Sequence, residues 1–76
     1  MQPPFNFSEP NWAPLEHAVV AAGLPLDACG EWMWMCEDPA GLHHFKHRDT
    51  RKYVHLTSET SSAVAAFLIQ GARNAR

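Results

Sequence analysis

The tetrapeptide Asp38-Pro39-Ala40-Gly41 constrains this chain more than any other stretch. Pro39 stands at the second position of a type I turn and Gly41 at the left-handed position after it. That is the chemistry of a three-residue hairpin loop closed by a G1 bulge. Both flanks suit strands. Glu31 to Cys36 (EWMWMC) is rich in aromatic residues, and Leu42 to Arg48 follows the turn. Asp49-Thr50-Arg51-Lys52 is a polar tetrapeptide fit for a second tight turn, and Tyr53 to Thr57 (YVHLT) is β-branched and aromatic. The expectation is a three-stranded antiparallel meander.

Helical patterns bracket the meander. Trp12, Leu15, Val19 and Ala22 recur at helical spacing, Ser8 or Asn11 can cap the start, and Pro14 falls in the first turn. Gly23-Leu24-Pro25 is a helix stop, and Leu26 to Gly30 reads as a connector. A last helix is expected over Glu59 to Ala72, capped by Thr57 or Ser58, with Val64, Phe67, Leu68 and Gly71 facing inward and Arg73 and Arg76 near its end. The fold class is therefore α+β, in the order α-β-β-β-α, with both helices on one face of the sheet.

Seventy-six residues allow one hydrophobic core, so residues 1–76 form one small domain. Pro3, Pro4 and Pro10 make residues 1–10 an irregular arm, which Phe5 and Phe7 can pin to the body. At 46% hydrophobic and 18% charged, the composition is globular. The first residues lack the cationic and apolar regions of a secretory signal, and the longest apolar run, Ala63 to Ile69, is far short of the ~20 residues that span a bilayer. A cytoplasmic protein without membrane contact is expected. Cys29 and Cys36, held ~17 Å apart if a strand lies between them, are then free thiols.

Charge is divided along the chain. Residues 1–42 hold six carboxylates and no Lys or Arg, a formal charge of −6; residues 43–76 hold six Lys or Arg against two carboxylates, +4, and four of the five histidines. The net charge of −2 argues against a dedicated polyanion binder.

Hairpin register decides what the sheet presents to a partner. A G1 loop pairs residues whose numbers sum to 80, placing Met35 opposite Phe45 and Trp34 opposite Lys46. A four-residue second turn pairs Phe45 with Leu56. One face then carries Met33, Met35, Phe45, Val54 and Leu56 beneath the helices, and the other carries Trp32, Trp34, Cys36, His44, Lys46, Arg48, Tyr53 and His55. A slip to a sum of 79 instead puts Trp34 opposite Phe45, on the covered face.

On the first register, Trp32, Trp34, His44, Lys46, Arg48, Tyr53 and His55 form an aromatic and cationic partner-binding face, flanked by a basic turn at Arg51 and Lys52. The function expected is a non-catalytic module acting by protein–protein contact or self-association through the sheet face or edge. The alternative is single-stranded nucleic-acid binding, with bases stacked on Trp32, Trp34 and Tyr53 and phosphates on Lys46, Arg48, Arg51 and Lys52. A structural metal held by His and Cys ligands is a lesser alternative, because His44, His55 and Cys36 fall on one face and His43 and His47 on the other. Cys36 opposite His44 is the one nucleophile–base pair in view, but no third group orients it and nothing suggests an oxyanion hole. Neither an enzyme nor a cofactor is expected.

Overall fold

The computed structural model describes residues 4–74 and has the expected order: α1 (Ala13–Ala21), a 3-10 helix (Leu26–Glu31), β1 (Trp32–Glu37), β2 (His43–His47), β3 (Tyr53–Leu56) and α2 (Ser62–Arg73). The strands form one antiparallel sheet in the order β1-β2-β3. Both helices cover the same face.

Each boundary has a local cause. Asn11 Oδ1 accepts the Ala13 N–H at 3.0 Å, and α1 begins there, one residue later than the apolar stripe suggests. It ends in a Schellman motif: Gly23 takes φ +80°, its N–H bonds the Val20 carbonyl and the Leu24 N–H bonds the Val19 carbonyl. Between Thr57 and Thr60 the hydroxyls bind backbone and each other, consuming the residues expected to open α2. Ser61 caps the helix instead, its side chain accepting from Val64 N–H. Arg73 lies in the last turn as expected, and Arg76 lies outside the described residues.

The register of the first hairpin is where sequence reasoning and structure part. Near the loop the G1 pairing holds: Glu37 opposes His43 and Cys36 opposes His44, with Gly41 at φ +87°. Asp38 reinforces the loop, its Oδ1 accepting the N–H groups of Ala40 and Leu42 at 2.9 and 3.0 Å. Beyond a bulge the pairing slips by one, so that Trp34 opposes Phe45, Met33 opposes Lys46 and Trp32 opposes His47. Met35 is the extra residue. Trp32 and Trp34 thus lie on the covered face rather than the open one, Trp32 only 3% exposed and Trp34 packed against the core. Met33 and Met35, expected beneath the helices, are exposed instead.

The inward face of α2 also differs from the expected stripe. Its inward residues are small or aliphatic, Ala65, Ile69 and Ala72 with Leu68 beside them, and they meet Ala18 and Val19 of α1 in one core with Leu15, Phe45, Val54 and Leu56. Val64 and Phe67, expected to point inward, face solvent, with Phe67 75% exposed. Each large buried side chain contributes ~1.5–3 kcal/mol, which a core this thin cannot forgo.

The second hairpin is shifted by two residues, leaving both faces unchanged. The loop is Arg48 to Arg51, with His47 N–H on the Lys52 carbonyl at 2.8 Å and Arg51 N–H on the His47 carbonyl at 3.0 Å. The buried His47 ring stitches it, Nδ1 accepting the N–H groups of Asp49 and Thr50, each at 3.2 Å. Phe45 therefore opposes Val54, Lys46 opposes Tyr53 and His44 opposes His55. Arg51 closes the loop at φ 65°, a conformation that is costly with a Cβ. Arg51→Gly is expected to raise stability by up to about 1 kcal/mol and Arg51→Val to lower it by about as much, read as shifts in urea midpoint; a destabilised glycine variant would contradict the strain.

Candidate interaction surface

The open face carries Met33 and Cys36 from β1, His44 and Lys46 from β2, and Tyr53 and His55 from β3. Its polar side chains form a continuous chain of contacts. Lys46 Nζ lies 5.5 Å from the Tyr53 ring centroid, Tyr53 stacks on His55 at 6.3 Å, and His55 meets His44 edge-on at 4.3 Å. His44 Nε2 then donates to Asp38 Oδ2 at 3.0 Å. This bond, together with the Leu42 and Ala40 amides, holds the Asp38 carboxyl below its usual range. Burial, aided by His44, pushes the His55 imidazole down.

Cys36 opposes His44 as expected, and Asp38 is the orienting group that sequence reasoning did not find. The set is nonetheless poorly suited to nucleophilic catalysis. Burial and the nearby Asp38 charge push the thiol pKa up, so it stays protonated. The imidazole nitrogen that is anchored is the one on Asp38, and among the described residues Cys36 has no hydrogen bond to His44.

Two other histidines anchor the covered face. Trp34 Nε1–H donates to His43 Nδ1 at 3.1 Å, spending the indole on an internal partner. At the far end of the sheet His47 Nε2 donates to Glu31 Oε1 at 3.0 Å, while Arg73 grips the same carboxylate at 2.9 and 3.1 Å. Glu31 consequently falls to about 2, held first by Arg73 and then by His47. With its Nδ1 lone pair on two backbone amides, His47 has none left for a base.

The basic turn is mostly committed to structure. Arg48 donates to the Gly30 carbonyl at 3.1 Å and Lys52 to the Asn74 carbonyl at 2.7 Å, closing the end of α2, where Thr50 also bonds the Ala72 carbonyl. Only Arg51 among these cations has no such bond among the described residues. No group of three His, Cys, Asp or Glu among the described residues is placed to hold a metal ion. Cys29 and Cys36 are free thiols, and no helix among the described residues is long and apolar enough to cross a membrane.

Sequence reasoning therefore placed His44, Lys46, Tyr53 and His55 on the open face, and the structure brings them together there. Trp32 and Trp34 are not with them, and Met33 and Met35 stand exposed instead. The one signal for that exchange was the alternative hairpin sum of 79. No known protein family, curated protein or solved structure matches the chain.

Two outcomes test this geometry. Glu31, depressed from 4.5 to about 2, contributes stability that is present above pH 4.5 and lost as pH falls toward 2. In denaturation across that window Glu31→Gln is expected to lie about 1–2 kcal/mol below the parent at pH 6 and to converge on it near pH 2, a figure discounted because a third of the carboxylate meets water. Tryptophan emission is expected to be blue-shifted and weakly quenched by acrylamide, since Trp12, Trp32 and Trp34 all pack against the core; a spectrum like that of free tryptophan would return the indoles to the open face.

Proposed function

We propose that this domain is a non-catalytic binding module that engages a protein partner, or a second copy of itself, through the open face of its sheet. The observation that carries the reading is that this face is uncovered among the described residues yet apolar in part: Met33, Met35 and Tyr53 are 39%, 37% and 47% exposed beside Lys46, His44 and His55. Methionine adapts its shape to a partner, and tyrosine adds area at low entropic cost. Three strands ~4.8 Å apart and about five residues long present roughly 250 Å2, well under the ~800 Å2 per partner of a stable interface. The contact is therefore transient, or made to a short segment.

Nucleic-acid binding has less support. Its two indoles lie under the helices, and Arg48 and Lys52 are engaged within the fold. A cytoplasmic location agrees with two unpaired cysteines.

Light scattering after size exclusion, together with affinity capture from the host, tests the proposal. The parent is expected to self-associate or to retain a defined protein, and the double variant Met33→Glu/Tyr53→Glu to lose at least tenfold in retention at an unchanged melting temperature. A strict monomer that retains nothing, or retention indifferent to the double variant, would sink it.

A further inference from the structure

A second surface lies at the opposite edge of β1. The arm is tied to β1 at one point, where Asn6 and Glu37 exchange both backbone hydrogen bonds at 2.9 Å. The Asn6 side chain fixes the arm's course. Its Oδ1 accepts the N–H groups of Ser8 and Glu9, and its Nδ2 donates to the Glu9 carbonyl and to Glu37 Oε1. Phe5 and Phe7, two apart in sequence, stack at 5.8 Å with planes 14° apart. They do not pin the arm: they are 50% and 71% exposed, and Asn6 does the anchoring.

Between arm and hairpin runs a groove of about 440 Å3, walled by Phe5, Phe7 and Pro39 and rimmed by Glu9, Glu37 and Asp38. A second hollow of about 380 Å3 shares Phe5, Asp38 and Pro39 with it and adds Ala40. No Lys or Arg occurs among residues 4–42, so the groove is acidic throughout. Asp38 adds charge and is largely occupied, Oδ1 by the Ala40 and Leu42 amides and Oδ2 by His44. Glu37 has capacity left, with its nearest side-chain partners at 3.4 and 3.8 Å. The Glu9 side chain is exposed.

The geometry points to this groove as a docking site for an arginine-bearing segment of a partner protein. Aromatic faces and carboxylates have one ligand chemistry in common, a cation. A planar guanidinium satisfies both at once, stacking on a ring while bonding a carboxylate in a bidentate manner, which an ammonium does not do. Two neighbouring hollows that share Phe5 and Pro39 offer more room than one side chain fills, so the occupant is a peptide segment rather than a free amine. This site meets the open sheet face at Asp38, which also bonds His44, but its aromatic walls Phe5 and Phe7 are not on that face, so variants at Phe7 and at Met33 test the two separately.

Amide chemical shifts read the test directly. The full chain is titrated at low salt with an acetylated, amidated (Gly-Arg)3 peptide, with its lysine and glutamine counterparts, and with arginine amide. Shifts are expected at residues 4–9 and 37–41, saturating at sub-millimolar (Gly-Arg)3, several-fold weaker for lysine and absent for glutamine. The variants Phe7→Ala and Glu9→Gln/Glu37→Gln are each expected to cost at least tenfold in affinity; Phe7→Ala, at a solvent-facing ring, keeps the melting temperature. No shifts, shifts spread over the whole surface, or affinity indifferent to both variants would overturn the site. Shifts centred on Met33 and Tyr53 would assign arginine to the open face instead. Arginine amide binding as tightly as the peptide would overturn the peptide occupant, as would concentration-dependent shifts without peptide that Arg51→Glu removes, which would make the occupant a second copy.

Discussion

The first hairpin has to satisfy two registers. Local chemistry at Asp38 to Gly41 dictates one, through a turn with Gly41 in the left-handed region and Asp38 bonded to two loop amides. The core dictates the other, because Trp32 and Trp34 are the largest apolar groups that β1 can add to the cluster around Phe45. An extra residue at Met35 reconciles them. From that accommodation follow the burial of both indoles and the composition of the open face. The arrangement carries one cost: Trp32 Nε1 is buried without a hydrogen-bond partner among the described residues, about 1–3 kcal/mol set against burial of a whole indole.

The two ends of the sheet are held by one device used twice. In each, a carboxylate meets a histidine that begins or ends β2 or lies next to its end: Glu31 with His47 at one end, Asp38 with His44 at the other. Each pair also recruits backbone amides of the adjacent loop, through His47 in the first case and Asp38 in the second. The histidine-rich strand is therefore a fastening for two turns. One carboxylate ahead of the meander likewise finds a cation after it, Glu31 in Arg73.

Most of the fold was legible because it rests on local signals. Gly23-Leu24-Pro25 is a helix stop whatever surrounds it, and Asp38-Pro39-Ala40-Gly41 is a hairpin loop by itself. What was not legible depends on packing at a distance. A bulge has no residue signature when the extra residue is a methionine, and the inward face of α2 is decided by the elements it packs on, α1 and β3. The arm's bridge through Asn6 joins residues 31 apart by two backbone bonds, with nothing in sequence to announce it. Of the candidate site, the part on β2 and β3 was legible because a shift of two residues preserves every face. On β1 a shift of one reverses them.

The bulge also marks where this chain can tolerate a change in length. Met35 has no partner of its own: Trp34 pairs with Phe45, and Cys36 pairs with the next residue along, His44. Loss of the codon for residue 35 would leave a regular ladder in which every remaining side chain keeps its neighbour and its face, whereas loss of residue 33 or 37 would put one half of the strand out of phase with its partner. In a lineage of such proteins, single-residue gaps should gather at this position and stay away from the rest of the strand.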